Sequence, residues 1–440
     1  MNQSRQYGLV TLTCIVIASM IGSGVFTTSG FTIAALGSPE LVMLAWVVGG
    51  IIAVCGAISY AELSRRLPVS GGEYTYLSRR LHPAAGFIAG WVSLTAGFSG
   101  AIALAAVTCA AYLSGLGPFS EIPQNTIAAG LIVTAGIAHA SGSRQAASLQ
   151  NLIVLLKIGV LLWFLGTAAS MFSSHQWYWV QSPAEVSSGP SISVFAQQVM
   201  WISLSYTGFN AAIYIASEVR DAQVTVPRAL VLGTVVVTVL YLLLNLVFVT
   251  AAPAELIALQ EDVAAVAARN VGGARLETLM RIAVVLGTGS SVAGMIMTGP
   301  RVFSKMAEDG LFPRFFAAAE GGMQRTVLLQ SGIALLLVFT GDLRDLLNYL
   351  SSVLALSSAI TVLTLLIPGR GESERSRPAA ATLLAAVCYV GGTLITAALL
   401  MNRKPEELYG ALITIVTGGV LWLAVGRNCW RGSEVQESST

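Results

Sequence analysis

Charge is what this sequence has least of. Asp, Glu, Lys and Arg make up 10% of its 440 residues, against 55% hydrophobic. Soluble domains carry about 25% charged residues, so the composition excludes one and indicates an integral membrane protein. No polar stretch is long enough for a separate soluble domain. Histidine is scarce: His82, His139 and His175 stand far apart in the chain. HExxH and GxSxG motifs are absent, which leaves an intramembrane hydrolase without its chemistry. A GxxxxGK-S/T phosphate loop is absent too, so ATP-driven pumping by this chain is not expected. The cysteines (Cys14, Cys55, Cys109, Cys388, Cys429) are scattered in or just after apolar runs, with no metal-ligand spacing. They read as small core residues, and neither a metal, a cofactor nor a disulfide-linked partner is expected.

What is present is a series of long apolar runs. A span needs about 20 apolar residues, and twelve runs are read as transmembrane helices: 7–36, 40–61, 84–114, 124–140, 146–171, 192–217, 229–251, 276–300, 326–340, 346–367, 379–402 and 408–426. The first is too long, and lacks the flanks and cleavage site, for a removable signal peptide. Basic residues in short loops set the orientation. With the N-terminus in the cytoplasm, all 24 Lys and Arg residues fall inside except Arg269, Arg275, Arg281, Arg344, Arg403, Lys404 and the mid-span Lys157. Both termini are then cytoplasmic, and the net charge of +2 says nothing about nucleic acid. Residues 252–275 read as an outer loop with an alanine-rich helical stretch, Arg301 to Arg325 as a basic inner loop, and 431–440 as a disordered cytoplasmic tail.

Two spans are interrupted. Tyr7 to Leu36 contains no charge, yet Gly22, Ser23 and Gly24 come together in its middle. Glycine costs about 1 kcal/mol against alanine inside a helix. On this segment alone two readings stand open. One is close helix packing through small residues. The other is an opened turn whose free N–H groups, at the positive end of a second half-helix, suit a carboxylate. The sixth span repeats the design: apolar from Ile192 to Leu204, then Ser205-Tyr-Thr-Gly-Phe-Asn, with a helix resuming over Ala211 to Ser217. Interrupted segments in corresponding positions of two halves point to a transporter site.

Lys157 stands at the twelfth position of the fifth span, the one Lys, Arg, Asp or Glu near the middle of any span. Such a charge costs about 2.5–3.5 kcal/mol on insertion scales and needs a compensating partner. From mid-span its side chain does not comfortably snorkel to either interface. The eighth span carries hydroxyls at Thr288, Ser290 and Ser291. Serines in a membrane helix usually bond back to their own backbone, so a functional role requires this span to face the site.

Taken in order, several stretches resemble the amino acid–polyamine–organocation superfamily, most closely its L-type amino acid transporters and bacterial relatives. They are Met20-Ile-Gly-Ser-Gly-Val-Phe, Tyr60-Ala-Glu-Leu, Pro68-Val-Ser-Gly-Gly-Glu-Tyr-Thr-Tyr, Gly86-Phe with Gly90-Trp91, Ser205-Tyr-Thr-Gly-Phe-Asn, Glu218-Val with Pro227-Arg228-Ala, and Arg301 with Asp309-Gly310. The resemblance implies an all-α transporter domain over 1–430: two inverted five-helix repeats, about 7–171 and 192–367, plus two extra helices over 379–426. It also implies an amino acid held between the broken spans at Met20, Ile21, Gly22, Ser23, Gly24, Leu204, Ser205, Tyr206, Thr207, Gly208 and Asn210. Ser23 and Gly24 would receive the carboxylate. Carbonyls around Met20, Ile21, Leu204, Ser205 and Thr207 would receive the ammonium. Lys157 matches a lysine of non-sodium members, and its ammonium would bridge the first break to Ser290 and Ser291. Two departures stand out: Leu204 replaces an aromatic gate, and Ser217-Glu218 stands where relatives more often carry two adjacent acids.

The function expected is sodium-independent, secondary active transport of a neutral L-amino acid across the inner membrane, by proton symport or by exchange without a proton. A channel fits poorly, having one central lysine and no ring of acids. A transporter-like sensor that binds an amino acid without moving it stays open, and counterflow separates it from a carrier.

Overall fold

The computed structural model describes residues 7–140, 147–179, 190–318, 321–367, 378–403 and 405–427. The tail 431–440 and the basic residues Arg5, Arg144, Arg370, Arg375, Arg377, Lys404 and Arg431 lie outside them. In chain order the helices are α1 Leu9–Met20, α2 Gly24–Leu36, α3 Pro39–Arg66, α4 Glu73–Arg80, α5 Pro83–Val92, α6 Ala101–Ser114, α7 Gln124–Ala140, α8 Ala147–Ser170, α9 Ile192–Ser205, α10 Ala222–Thr250, α11 Ala254–Ile257, α12 Val263–Glu308, α13 Gly322–Thr340, α14 Leu343–Leu363, α15 Ala380–Arg403 and α16 Glu406–Leu421. Among the described residues there is no strand beyond an isolated bridge between Tyr7 and Val219.

Among the described residues nine helical stretches, α5 and α6 counting together as one, are long and apolar enough to cross a membrane, ten if the bent pair α1–α2 is one span. The expected count of twelve is therefore met in part: α7 has 17 residues and α9 only 14. Large apolar side chains such as Leu155, Leu162, Trp163, Leu336 and Leu412 point outward. Buried polar ones, Lys157 and Asn245 among them, point inward. A multi-pass membrane protein requires that arrangement, because lipid replaces water outside.

Small residues bring the inner helices together. A Cβ on Gly49 of α3 would sit 2.6 Å from the Ile202 side chain of α9, and one on Gly233 of α10 would sit 2.6 Å from Val16 of α1. Between helices in lipid, such close approach is a main source of attraction. α3 starts with Ser38 accepting from the Leu41 N–H at 3.2 Å and Pro39 in its first turn. Asp342 and Asp345 make reciprocal bonds at the start of α14. Both caps satisfy donors that a helix start leaves open.

Two expected boundaries are corrected. The alanine-rich helix expected in the outer loop is the first part of α12, before Gly272, and the part after Gly273 runs past the expected end at 300 to Glu308, into the basic inner loop. The glycine pair Gly272–Gly273, non-helical and with Gly273 at φ 70°, is a kink that divides α12 into two helices. The helix expected over Ala211 to Ser217 is a 3-10 segment, Ala211–Glu218. Gly208 at φ 96° redirects the chain before it, and Ile215 is non-helical. The third span is α5 and α6 joined through a wider π-helical stretch, Ser93–Gly100.

Candidate functional site

The first break is real, and it is short. α1 stops at Met20, α2 starts at Gly24, and the two are bent by 42°. Losing the helical ladder frees carbonyls on one side and N–H groups on the other. The carbonyls are covered by neighbouring helices. Met20 O accepts from the Tyr241 hydroxyl of α10 at 2.5 Å and from Gly22 N–H at 2.7 Å. Ile21 O accepts from the Lys157 ammonium of α8 at 2.6 Å. The N–H groups of Ser23, Gly24 and Val25 have no partner among the described residues.

The second break leaves the complementary set. α9 ends at Ser205, where Thr207 turns back on Leu204 O through its N–H at 3.0 Å and its hydroxyl at 2.7 Å. Among the described residues nothing donates to the carbonyls of Ser205, Tyr206 and Thr207. The two breaks touch each other. A Cβ on Gly24 would lie 2.5 Å from Ser205 Oγ and 2.8 Å from Ser205 Cα. One on Gly208 would lie 2.7 Å from Ser19 O. Thr28 and Ser205 are hydrogen-bonded at 3.2 Å. Unpartnered donors at the start of α2 thus face unpartnered acceptors at the end of α9. A small zwitterion, with an anionic and a cationic end, has the polarity that such a pair of edges lacks.

Of the residues expected at the site, Gly22, Ser23, Gly24, Ser205, Thr207 and Gly208 are brought together. The Met20, Ile21 and Leu204 carbonyls already accept hydrogen bonds. Tyr206 turns its ring away into a buried cluster with Trp46 and Tyr241, at centroid distances of 5.7 and 5.1 Å. Asn210 follows the turn half-buried, its carbonyl accepting from Ile213 N–H at 3.1 Å. The expected bridge from Lys157 to the span-eight hydroxyls is not made. Ser290 and Ser291 both donate to Gly287 O at 2.9 Å. The lysine meets α12 through its stem instead: a Cβ on Gly287 would sit 2.7 Å from Lys157 Cδ. A residue without a side chain makes room for the aliphatic part, and the ammonium passes on to Ile21.

Sequence reading missed several participants. Tyr241 and Asn245 lie four residues apart on one face of α10, a polar pair in an apolar run that was legible but unused. Asn245 accepts from Ser29 of α2 at 2.5 Å. The Tyr112 hydroxyl of α6 donates to Phe26 O at 2.8 Å and accepts from Ala264 N–H of α12 at 3.2 Å. Leu204 lacks a ring, but Trp201 and Phe31 pair edge to face at 6.1 Å one turn away, and Trp201 is tied to Asn348 of α14 at 2.7 Å.

Both ends of the paired breaks are covered. At the end bearing Gln260, Leu259 N–H donates to Gly30 O at 2.8 Å, and the loop packs so closely that Gly30 has no room for a Cβ against Gln260 O. At the basic end, Ser70 and Ser217 are hydrogen-bonded at 2.6 Å and Tyr74 donates to Asp309 at 3.1 Å. Burial and the neighbouring Asp309 carboxylate push the Tyr74 phenol up, which keeps its proton for that bond. Beside the second break lies a cavity of about 40 Å³ between α3, α9, α14 and α15.

A family model described as amino acid permease matches residues 7–422. The chain is 27% identical over 398 residues to mouse (Mus musculus) large neutral amino acids transporter small subunit 2, covering 88% of this chain and 74% of the relative. It is 25% identical to human (Homo sapiens) Asc-type amino acid transporter 1, with 95% and 83% covered. Mouse b(0,+)-type amino acid transporter 1 is also 25% identical, with 93% and 86% covered.

Proposed function

The chain belongs to the amino acid permease family, and from that premise we propose that it carries a neutral L-amino acid across the membrane by alternating access, without sodium. The observation that carries this reading is the meeting of unpartnered N–H groups at Ser23 and Gly24 with unpartnered carbonyls at Ser205 and Thr207. The carboxylate binds the first set and the ammonium the second. Both broken segments lack an acid to pair with a cationic side chain, and the fixed charge beside them is the buried Lys157. A relative named for large neutral amino acids supports the same class. The protein is read as one transporter domain of two inverted repeats plus two helices, in the inner membrane with both termini cytoplasmic.

The coupling proposed is proton symport. Exchange without a proton is the second reading, and the 2.6 Å bond from Lys157 to Ile21 O favours it, since a lysine fixed in place works as a permanent latch. Stabilisation by a panel of amino acids, followed by counterflow in proteoliposomes, tests the carrier and its substrate class. Alanine, leucine or their like are expected to stabilise and exchange better than arginine. Arginine as the better substrate removes the class, and binding without counterflow makes the protein a sensor.

Tyr241→Phe provides a local check. It removes one donor from Met20 O, worth about 0.5–1.5 kcal/mol net. Apparent affinity should weaken several-fold with expression unchanged. Unaltered affinity would show that this carbonyl needs no tie.

A further inference from the structure

Glu73, which opens α4 at the basic end, is 8% exposed. Its carboxyl accepts from the Tyr60 hydroxyl of α3, from Ser357 Oγ of α14 at 3.0 Å and from Ser358 Oγ at 2.9 Å. Among the described residues no cation pairs with it. Arg79 on the same helix is exposed, and Arg80 donates to the carbonyls of Thr364 and Ile367 at 3.2 and 3.4 Å. The titratable groups facing it are phenols: Tyr60 of α3, Tyr214 of the 3-10 segment and Tyr389 of α15, with Tyr76 of α4 beside Tyr214. A carboxylate taken out of water without a counter-charge is costly unless donors surround it or it takes up a proton.

Those donors belong to α3 and α14, whereas the carboxyl belongs to α4. Any movement of α4 away from them changes how many hydroxyls the carboxyl holds. Ser358 also lines the cavity beside the second break, together with Ser203, Thr207, Ser351 and Thr393. At about 40 Å³ this cavity has room for more than one water, since one needs about 10–15 Å³ of such space. The Tyr76 hydroxyl, on a side chain with no exposure, lacks a partner among the described residues.

We propose that Glu73 is the binding site of the co-transported proton, reached from the substrate site through the hydroxyls of this cavity, whose lining is otherwise mainly apolar. The inference rests on the symport reading. The proton passes from water in the cavity to Ser358 Oγ, while the Ser358 hydroxyl proton passes to Glu73 Oε1. The carboxylate becomes a neutral acid and the serine is regenerated. Release follows at the basic end once the Ser70–Ser217 and Tyr74–Asp309 contacts open. Lys157 then keeps its charge and its bond to Ile21 throughout.

The test is Glu73→Gln in proteoliposomes, read three ways: leucine counterflow without gradients, uphill uptake under an acid-outside gradient, and leucine-induced proton entry by a trapped pH dye. The variant should keep counterflow while uphill uptake and proton entry fall to the level of empty liposomes. Proton entry retained by the variant overturns the assignment and leaves symport standing. Absence of proton entry in the wild type overturns symport and this site with it. A folded variant without counterflow makes Glu73 a structural tie, against the proposal. Should Glu73→Gln aggregate, Ser358→Ala decides, because it cuts the link to the cavity and leaves Tyr60 and Ser357 in place. Lost proton entry with counterflow kept supports the site, and undiminished proton entry overturns it.

Discussion

Lys157→Ala is expected to lower sodium-free uptake to background, with Lys157→Arg rescuing little of it. The ammonium donates to Ile21 O at 2.6 Å, and a hydrogen bond involving a charged group contributes about 1.5–3 kcal/mol. Since about 1.4 kcal/mol is tenfold in an equilibrium, losing it detaches the first break from α8 and α12 by at least that factor. Arginine keeps the charge but not the fit. The lysine stem is clamped where a Cβ on Gly287 would already stand 2.7 Å from Cδ, and the planar guanidinium is wider than an ammonium and practically never neutral. The measurement is uptake in wild type and both variants, with and without imposed sodium and proton gradients. A sodium requirement in the wild type, or full activity in Lys157→Ala, removes the lysine from the mechanism.

Gly24→Val should abolish uptake and substrate binding while leaving membrane insertion largely intact. Two effects act together. The side chain covers the N–H groups that the carboxylate must reach, and its Cβ would stand 2.8 Å from Ser205 Cα and 2.9 Å from Ser205 Cβ. Those are main-chain and first side-chain atoms, not the end of a flexible side chain, so α2 and α9 must separate for the valine to fit. The variant is expected to reach the membrane and purify as a monodisperse protein. Affinity by thermal shift and uptake in proteoliposomes are the readouts. Near-normal affinity in Gly24→Val would sink the assignment of the first break as the carboxylate site.

Much of this was legible before any coordinates. The chargeless run with Gly22, Ser23 and Gly24 at its centre marked the first break once a matching interruption was found in the sixth span. Ser205 to Asn210 located the second in the same way. Lys157 was visible as an uncompensated charge. The helix boundaries around 252–308 were not: the helix is broken at Gly272 and Gly273, resumes, and runs on past Pro300 to Glu308.

By itself, then, the sequence determined that this protein lies in a membrane, where its two spans break, and that one buried lysine needs a partner. The first follows from composition, the breaks from two interrupted spans in corresponding positions, and the last from a charge far from either interface. The tertiary structure alone decided which atom Lys157 binds, that Met20 O belongs to Tyr241, that Ser290 and Ser291 turn back on Gly287, and that Tyr206 faces the aromatic core. It alone joined Glu73 to Ser357 and Ser358 across 284 and 285 residues of chain. A hydroxyl, a carbonyl or an ammonium has many acceptable partners of nearly equal energy. Which one it takes is set by the packing that brings distant segments together.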